Sequence, residues 1–154
     1  MRFNRTLPSA LLAALILAAC GGGDTVVYVP TEPTAPVVQG TVVTAAQMND
    51  TDLNAIFAAA KEGDTVTLPP GKYSFKGPLQ ITNKKKITVL GAGNGTDPTS
   101  NTILSFAKAL AQNGIDAAGL DTVTFKKFAI EDASGNGVFL NQSKNIVMNS
   151  LRTQ

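Results

Sequence analysis

The sequence contains no histidine and one cysteine, and charged residues make up 16% of its 154 positions. Without histidine, a catalytic site would lack the commonest general acid or base. The formal charge of +2 includes Arg2 and Arg5, which lie in a segment that we expect to be removed. Without them, 13 − 2 = 11 basic residues balance 11 acidic ones. A nucleic-acid partner is therefore not indicated, and the length allows one globular domain.

The N-terminal stretch "MRFNRTLPSALLAALILAAC" carries an apolar run, Ala10 to Ala19, that is too short to cross a bilayer. Basic residues before the run and small residues after it are typical of a secretory signal. The segment "LAAC", Leu17 to Cys20, resembles the lipobox of bacterial lipoproteins, in which the cysteine is acylated and the chain is cut just before it. This resemblance implies a lipoprotein signal peptide at residues 1–19 and lipidation of Cys20.

The acylated Cys20 would make the lipid bilayer a partner of the mature protein. Gly21 follows it where an aspartate would favour retention in the inner membrane, so the resemblance implies an outer membrane lipoprotein on the periplasmic or cell-surface face. An ordinary signal peptide with a chance cysteine is the alternative. A free thiol on a secreted protein is a chemical liability, which favours the lipoprotein.

Residues 20–46 are rich in Gly, Pro and Thr and predict a flexible tether. Its valines can add an edge strand, whereas Pro30, Pro33 and Pro36 disfavour a central one. The next segment, "NDTDLNAIFAAAKEGD", places apolar residues at helical spacing from Leu53 to Ala60. It predicts an amphipathic helix with an N-cap among residues 49–51 and an end at Gly63.

After Gly63 the pattern changes to short β-type runs separated by Gly, Asn or Pro. The stretches "NGIDAAGLDTVTFKKFAI", from Asn113, and "NGVFLNQSKNIVMNSLRT", from Asn136, align without a gap at an offset of 23 residues. Apolar residues then lie on apolar residues: Ile115 on Val138, Ala117 on Leu140, Val123 on Ile146, Phe125 on Met148 and Phe128 on Leu151. The break in alternation between Phe125 and Phe128 predicts a corner between two strands.

A repeat of this length, made of short strands without helices, is typical of a stacked coil. Together with the helix and the segment "GDTVTLPPGKYSF", it resembles the right-handed parallel β-helix proteins of the pectin-lyase-like superfamily over Asp50 to Gln154. The resemblance implies an all-β fold in residues 47–154, with about four coils of ~23 residues and an N-terminal capping α-helix. A leucine-rich repeat is the runner-up, but its leucine and asparagine spacing is absent.

Two asparagines, Asn113 and Asn136, each precede a glycine and align in the repeat. We expect them at a corner, in a left-handed conformation and hydrogen-bonded to each other. Gln154 aligns with Glu131, inside a strand, and no segment after it would cover the last coil. Since members of the superfamily are usually longer, we expect a chain truncated at its C-terminus. Missing coils would then hold any active cleft or Ca²⁺ site.

The superfamily includes polysaccharide lyases and epimerases, whose chemistry needs outward carboxylates and a base. Alternation predicts the outward side chains next to Val123, and they form no carboxylate stack. They are Thr122, Thr124 and Lys126, with Lys86 and Thr88 before them and Asn145, Val147 and Asn149 after them. The acidic residues are expected on different faces as solvated surface or turn groups: Asp116, Asp121, Glu131 and Asp132. No catalytic, substrate-binding or metal-binding residue is predicted, and no cofactor is evident.

Two short motifs have a structural and a functional interpretation. "GAGNGT", Gly91 to Thr96, looks like a phosphate-binding loop, but no helix follows it, so a flexible turn is favoured. "KKK", Lys84 to Lys86, is expected to be a solvated turn with a weak attraction for acidic glycans. Two classes of function stay open. One is a membrane-anchored protein that processes or binds polysaccharide, and the other is a non-catalytic adhesin, a structural β-helix or an inactive fragment.

Overall fold

A computed structural model describes residues 40–110 and 112–154. The predicted signal peptide, Cys20 and most of the predicted tether lie outside the described residues. The described part is mostly β-strand, its sheets are parallel and it contains one α-helix, as the sequence predicts. Within these ranges no helix is long and apolar enough to span a membrane.

The strands are short, except for two that each pass through a bend. A 3-10 turn, Ala45–Gln47, leads into helix α1, Asp50–Ala59. The strands are β1 (Gly40–Val42), β2 (Thr65–Thr67), β3 (Gly71–Ser74), β4 (Leu79–Thr82), β5 (Thr88–Leu90), β6 (Thr102–Ser105), β7 (Ile115–Ala118), β8 (Asp121–Glu131), β9 (Val138–Asn141) and β10 (Lys144–Thr153).

Every named strand pair is parallel, and each strand pairs with one that lies well along the chain. One ladder runs β4–β7–β9, a second runs β1–β2–β5–β8 and a third runs β3–β6–β8. Strand β10 follows β8 through both of its halves. The register places Ile115 beside Val138 and Val123 beside Ile146, two of the alignments predicted from the sequence.

Strand β8 joins the second and third ladders because it bends at Lys127, which has a φ of 59°. This bend lies between Phe125 and Phe128, where the break in alternation predicts a corner, and both rings remain fully buried. The register makes Ser150 the neighbour of Lys127, and Ser150 also has a left-handed backbone, at 53°. A single left-handed residue therefore turns the chain at this point in both β8 and β10.

Two further sets of neighbours share the left-handed backbone. Lys86, Thr122 and Asn145 form one set, at φ values of 50°, 57° and 56°. Asn83, Gly119 and Gln142 form the other set, at 53°, 64° and 47°. By contrast, Asn113 and Asn136 are not among the left-handed residues, so that part of the prediction is wrong.

The core lies between the ladders and is built from side chains that stack along each column of paired residues. The rings of Phe75 and Phe106, which extend β3 and β6, are stacked with their centroids 5.4 Å apart. Phe125 and Phe128 meet edge to face across the bend of β8, at 6.5 Å. Among the described residues, buried side-chain polar atoms all have hydrogen-bond partners. The column stacking thus combines apolar burial with complete polar pairing.

Helix α1 covers the edge of β4 through its polar side chains as well as its apolar face. The Asp50 carboxylate accepts hydrogen bonds from the backbone N–H groups of Lys76 and Gly77, the latter at 2.9 Å. Asn54 Oδ1 accepts one from the N–H of Gln80 at 2.8 Å. These side chains take the place of the carbonyl groups that a preceding parallel strand would present.

The helix begins at the predicted N-cap region and ends earlier than predicted. Asn49 is the N-cap, with its side chain accepting from the N–H of Asp52 at 3.0 Å. The last helical residue is Ala59 rather than a residue next to Gly63. Ala60 has an extended backbone, and Gly63 then donates its N–H to the Lys86 carbonyl. The chain therefore joins the strand layer before it reaches the glycine.

The prediction of a solvated turn at "KKK" is wrong for Lys84. Lys84 Nζ donates to the carbonyls of Ala58 and Ala60, at 2.6 and 2.9 Å, and so satisfies free acceptors at the C-terminus of α1. Lys86 agrees with the prediction, since its side chain is 66% exposed in an ion pair with Glu62 at 2.7 Å. Lys84 therefore positions the capping helix, and the charge of Lys86 is offset by Glu62.

The last part of the predicted tether joins the fold. Gly40–Val42 forms β1, an edge strand of the second ladder, and the following Val43 is buried. At the opposite side of the described domain, β9 and β10 each pair along one edge. Their exposed large apolar side chains are Phe139, Leu140, Val147 and Met148.

Candidate functional site

A shallow groove of about 310 Å³ lies on the outward face of the β4–β7–β9 ladder. Parallel pairing builds it from two columns, Gln80–Asp116–Phe139 and Thr82–Ala118–Asn141. Asn113, just before β7, closes one side. Alternate residues of a strand face the same way, so Ile81 and Ala117, between these positions on β4 and β7, are buried and the groove residues point to solvent.

The floor of the groove ends in an exposed aromatic ring. Phe139 comes directly after Val138, which pairs with the buried Ile115. Its ring is 45% exposed and lies beside Asp116 on the neighbouring strand. An exposed ring flanked by amide, hydroxyl and carboxylate groups offers an apolar surface with hydrogen-bonding partners at its rim. This combination suits a ligand that is itself apolar on one face and polar at its edges.

A chain of side-chain hydrogen bonds orients the polar wall of the groove. Asn136 Nδ2 donates to Asn113 Oδ1 at 3.0 Å, which confirms the predicted contact between these asparagines. Asn113 Nδ2 in turn donates to Asp116 Oδ1 at 2.6 Å. The hydrogen bonds thus run from Asn136 through Asn113 to Asp116. The Asp116 carboxylate is held in place, and one of its oxygens is occupied.

The groove is poor in titratable groups. Asp116 is the one ionisable side chain among its lining residues, and no lysine or arginine lines it. Acid–base catalysis commonly uses two titratable groups placed on either side of the reacting bond. The arrangement can therefore bind a ligand through hydrogen bonds and ring contact, but it presents no acid–base pair.

The outward residues of β8 agree with the sequence prediction, since Val123 and Phe125 are buried and no carboxylates stack beside them. The expectation of a solvated Glu131 is wrong. Its side chain is 13% exposed and lies between two cations, Lys72 Nζ at 2.8 Å and Arg152 Nη2 at 2.5 Å. No local pattern predicts this ion pair network, because Lys72 and Arg152 lie 59 and 21 residues from Glu131 in the sequence.

The network also holds the loop between β5 and β6. Arg152 donates to the carbonyls of Asn94 and Gly95, at 2.8 and 3.1 Å. Next to it, the buried Ser105 donates its hydroxyl to Asp132 at 2.7 Å. The ion pairs with Lys72 and Arg152 keep the pKa of Glu131 below its usual value, because their hydrogen bonds stabilise the carboxylate.

Glu131→Gln is expected to lower the free energy of unfolding by about 2 kcal/mol at neutral pH, because it removes charge-assisted hydrogen bonds and leaves two cations unpaired. Since the folded-state pKa is lowered, this stabilisation is fully present above the unfolded-state pKa of about 4.3 and is lost as the pH falls through the folded-state value. Urea unfolding of both proteins from neutral to acidic pH measures the difference.

Glu62→Gln is the matched control, because it removes a carboxylate from an exposed ion pair with Lys86. Exposed pairs contribute little, so its unfolding curve should stay close to that of the wild type. A difference between wild type and Glu131→Gln that does not shrink at acidic pH would contradict the assignment. So would an equal effect of the two substitutions.

The segment "GAGNGT" is a structured loop in which the amides of Ala92 and Gly95 are occupied. The N–H of Gly95 donates to Asn101 Oδ1 at 2.7 Å, and the N–H of Ala92 donates to Thr102 Oγ1 at 2.9 Å. Asn101 also donates to the carbonyl of Asp97. Backbone amides of such a loop are the groups that bind a phosphate, and these two are already paired within the loop, which supports a turn. The turn was predicted to be flexible, whereas an internal hydrogen-bond network orders it.

Potential metal ligands do not cluster in residues 40–110 and 112–154, where no group of three or more acidic, histidine or cysteine side chains is close enough to hold an ion. The predictions from the sequence cover the outward residues beside Val123 and do not include the groove. The same alternation in "LQIT", "IDAA" and "VFLN" selects Gln80, Asp116 and Phe139.

Comparison of the chain with protein-family models, curated proteins and solved structures finds no match.

Proposed function

We propose that this protein is an outer membrane lipoprotein that binds neutral polysaccharide, without cleaving it, in the groove on the β4–β7–β9 ladder. The groove belongs to a right-handed parallel β-helix, and the acylated Cys20 tethers that domain to the bilayer. The observation that carries the proposal is the exposed ring of Phe139 within a rim of polar side chains.

The parallel ladders support the β-helix. Strand partners recur at an offset of 23 residues from β7 to β9, from β2 to β5 and from β8 to β10. Left-handed residues at equivalent positions provide corners between the ladders. A short repeat, parallel pairing and stacked corners are the features that a coil needs in order to template the next one.

Sugar rings suit this groove because they have an apolar face of C–H groups and an equatorial rim of hydroxyls. The Phe139 ring can receive the face, while Gln80, Thr82 and Asn141 offer groups that pair with hydroxyls. A long glycan can lie across the ladder, since the groove is open along the sheet. The contacts resemble those of other binding sites that combine one ring with a few directed polar groups.

Charge favours a neutral glycan over a uronate. Asp116 places a carboxylate in the groove, and its lining residues include no cation to offset a second one. The nearby Lys84 and Lys86 are directed to helix α1 and Glu62. A sugar carboxylate in the groove would therefore meet a like charge, which disfavours binding.

The test is binding of neutral β-glucan and xylan oligosaccharides by calorimetry, with oligogalacturonate as the acidic comparison. Phe139→Ala is expected to weaken neutral-glycan binding about tenfold, equivalent to about 1.4 kcal/mol, because it removes the stacking surface. Val147→Ala is the matched control, since Val147 is similarly exposed but lies on β10, outside the groove.

An unchanged affinity in Phe139→Ala, or equal losses in both variants, would reject the groove as the binding site. Tighter binding of oligogalacturonate than of the neutral oligosaccharides would reject the charge argument. Release of shorter oligosaccharides during the titration would reject the non-catalytic role.

A further inference from the structure

We propose that the groove on the β4–β7–β9 ladder selects an amino sugar within an otherwise neutral glycan, and that Asp116 and Phe139 together recognise its protonated amine. The inference rests on the proposed function, because it names the sugar that the same groove prefers. Asp116 lies on β7, which is paired along both edges, by β4 and by β9. Described layers on each side therefore set the surroundings of this carboxylate.

The Asp116 carboxylate is oriented but not neutralised. Asn113 Nδ2 donates to its Oδ1 at 2.6 Å, and this amide carries no charge. Within residues 40–110 and 112–154, no lysine or arginine forms an ion pair with Asp116, and its Oδ2 accepts no hydrogen bond. The side chain is half-buried on the outward face of β7, where it lines the groove. One oxygen of an ionised carboxylate is thus available to a ligand.

The charge of Asp116 acts on the groove without opposition. The other polar residues that line the groove are uncharged: Gln80, Thr82, Asn113 and Asn141. A cleft that carries charge of one sign raises the local concentration of ligands of the opposite sign. The carboxylate that disfavours a uronate therefore favours a sugar with a positive charge over a neutral sugar.

Phe139 gives such a cation a second contact. It pairs with Asp116 across neighbouring parallel strands, which lie about 4.8 Å apart. A cation is attracted to the face of an aromatic ring within about 6 Å, so one ammonium group can be in range of both side chains. An ammonium group has three N–H donors, and those that do not bond to Asp116 can reach amide oxygens of Gln80 or Asn141.

An ammonium group suits this set of ligands better than a metal ion does. Calcium takes about six to eight oxygen ligands, whereas the groove supplies one carboxylate. An amine needs a single charge-assisted hydrogen bond to a carboxylate. On an amino sugar the amine is fixed to the sugar ring, so the apolar face and the charge of one sugar meet Phe139 and Asp116 at the same time.

Three trisaccharides with the same β-1,4 linkage test the inference, because they differ only in the group at C2 of each sugar. Cellotriose carries a hydroxyl there, the N-acetylglucosamine trimer an uncharged acetamide and the glucosamine trimer an amine. Calorimetry is done at mildly acidic pH, where amines are protonated and carboxylates are ionised. We expect the glucosamine trimer to bind about tenfold more tightly than either neutral trimer, and the preference to shrink at high salt.

Asp116→Asn is expected to remove this preference and to bring the three affinities within about twofold of one another. The new amide keeps an oxygen that can accept from Asn113, so the polar wall is retained while the charge is lost, and binding of cellotriose shows that the variant is folded. Asp52→Asn is the matched control, because Asp52 is exposed on α1, does not line the groove and loses the same charge. It should bind all three trimers like the wild type.

The outcomes separate this inference from the proposed function. If the glucosamine trimer binds no more tightly than cellotriose, and Phe139→Ala weakens both, the inference is overturned and the groove remains a site for neutral glycan. Absence of binding by every trimer rejects both proposals. A preference that persists in Asp116→Asn, or that Asp52→Asn also removes, would overturn the role of Asp116. Trilysine that binds as tightly as the glucosamine trimer would overturn the inference as well, because the groove would then recognise an amine without a sugar.

Discussion

Replacing Gly91 with alanine is expected to lower the free energy of unfolding by about 3 kcal/mol, an effect at the upper end of overpacking substitutions. A Cβ at this position would lie 2.3 Å from the Lys127 carbonyl oxygen and 2.7 Å from Cβ of Phe128. Both atoms belong to the bend of β8, so no side-chain rotation relieves the contact. The strands must separate, which also weakens the hydrogen bond from the Gly91 N–H to the Lys126 carbonyl.

Urea denaturation followed by circular dichroism measures this change, and Gly40→Ala is its matched control. An added Cβ at Gly40 would approach nothing closer than the Thr65 carbonyl oxygen at 3.7 Å, which is ordinary contact. The control should therefore unfold within about 0.5 kcal/mol of the wild type. A Gly91→Ala protein as stable as the control would mean that β5 and the bend of β8 are not in contact.

Replacing Cys20 with serine is expected to abolish acylation and to release the protein from the membrane. Each buried methylene contributes about 0.8 kcal/mol, so one acyl chain gives marginal binding and two or more give stable anchoring. Serine offers no thiol for the lipid. Expression in a Gram-negative host with a labelled fatty acid, followed by detergent phase partition, measures both the label and the membrane fraction.

Ser9→Ala is a suitable control because it changes the signal segment and keeps the cysteine. It should be labelled and partition into detergent like the wild type. An unlabelled wild type, cleaved at a position other than the bond before Cys20, would identify an ordinary signal peptide. That outcome would also contradict the prediction of outer membrane localisation, which depends on the acylated cysteine.

Alternation and the 23-residue offset were sufficient to predict parallel strands and their register in part of the domain. Ile115 with Val138 and Val123 with Ile146 align in the sequence because apolar columns need apolar occupants in each layer. The helix was predictable for the same reason, from the spacing of Leu53 to Ala60. Its early end was not, because Lys84 supplies the capping contact from 24 residues away.

The polar contacts were harder to predict because they join residues that no local pattern relates. Glu131 alternates as an outward residue and is therefore predicted to be solvated, yet β10 places Arg152 beside it. Arg152 also donates to the Asn94 carbonyl in the loop before β6. The left-handed backbone at Thr122 was also not predictable from the sequence, since β-branched residues rarely adopt this conformation. Tertiary pairing selects these conformations against local preference.

The one-residue corner at Lys127 has a consequence for how such a domain can change over evolution. Leu90 pairs with Lys126 and Ile103 pairs with Ala129, offsets of 126 − 90 = 36 and 129 − 103 = 26 residues. Ten additional residues are thus accommodated opposite a single corner residue, while the strands on both sides keep their pairing. A corner of this kind accepts insertions that leave the scaffold unchanged. New surface loops, and with them new binding residues, can therefore be acquired one layer at a time.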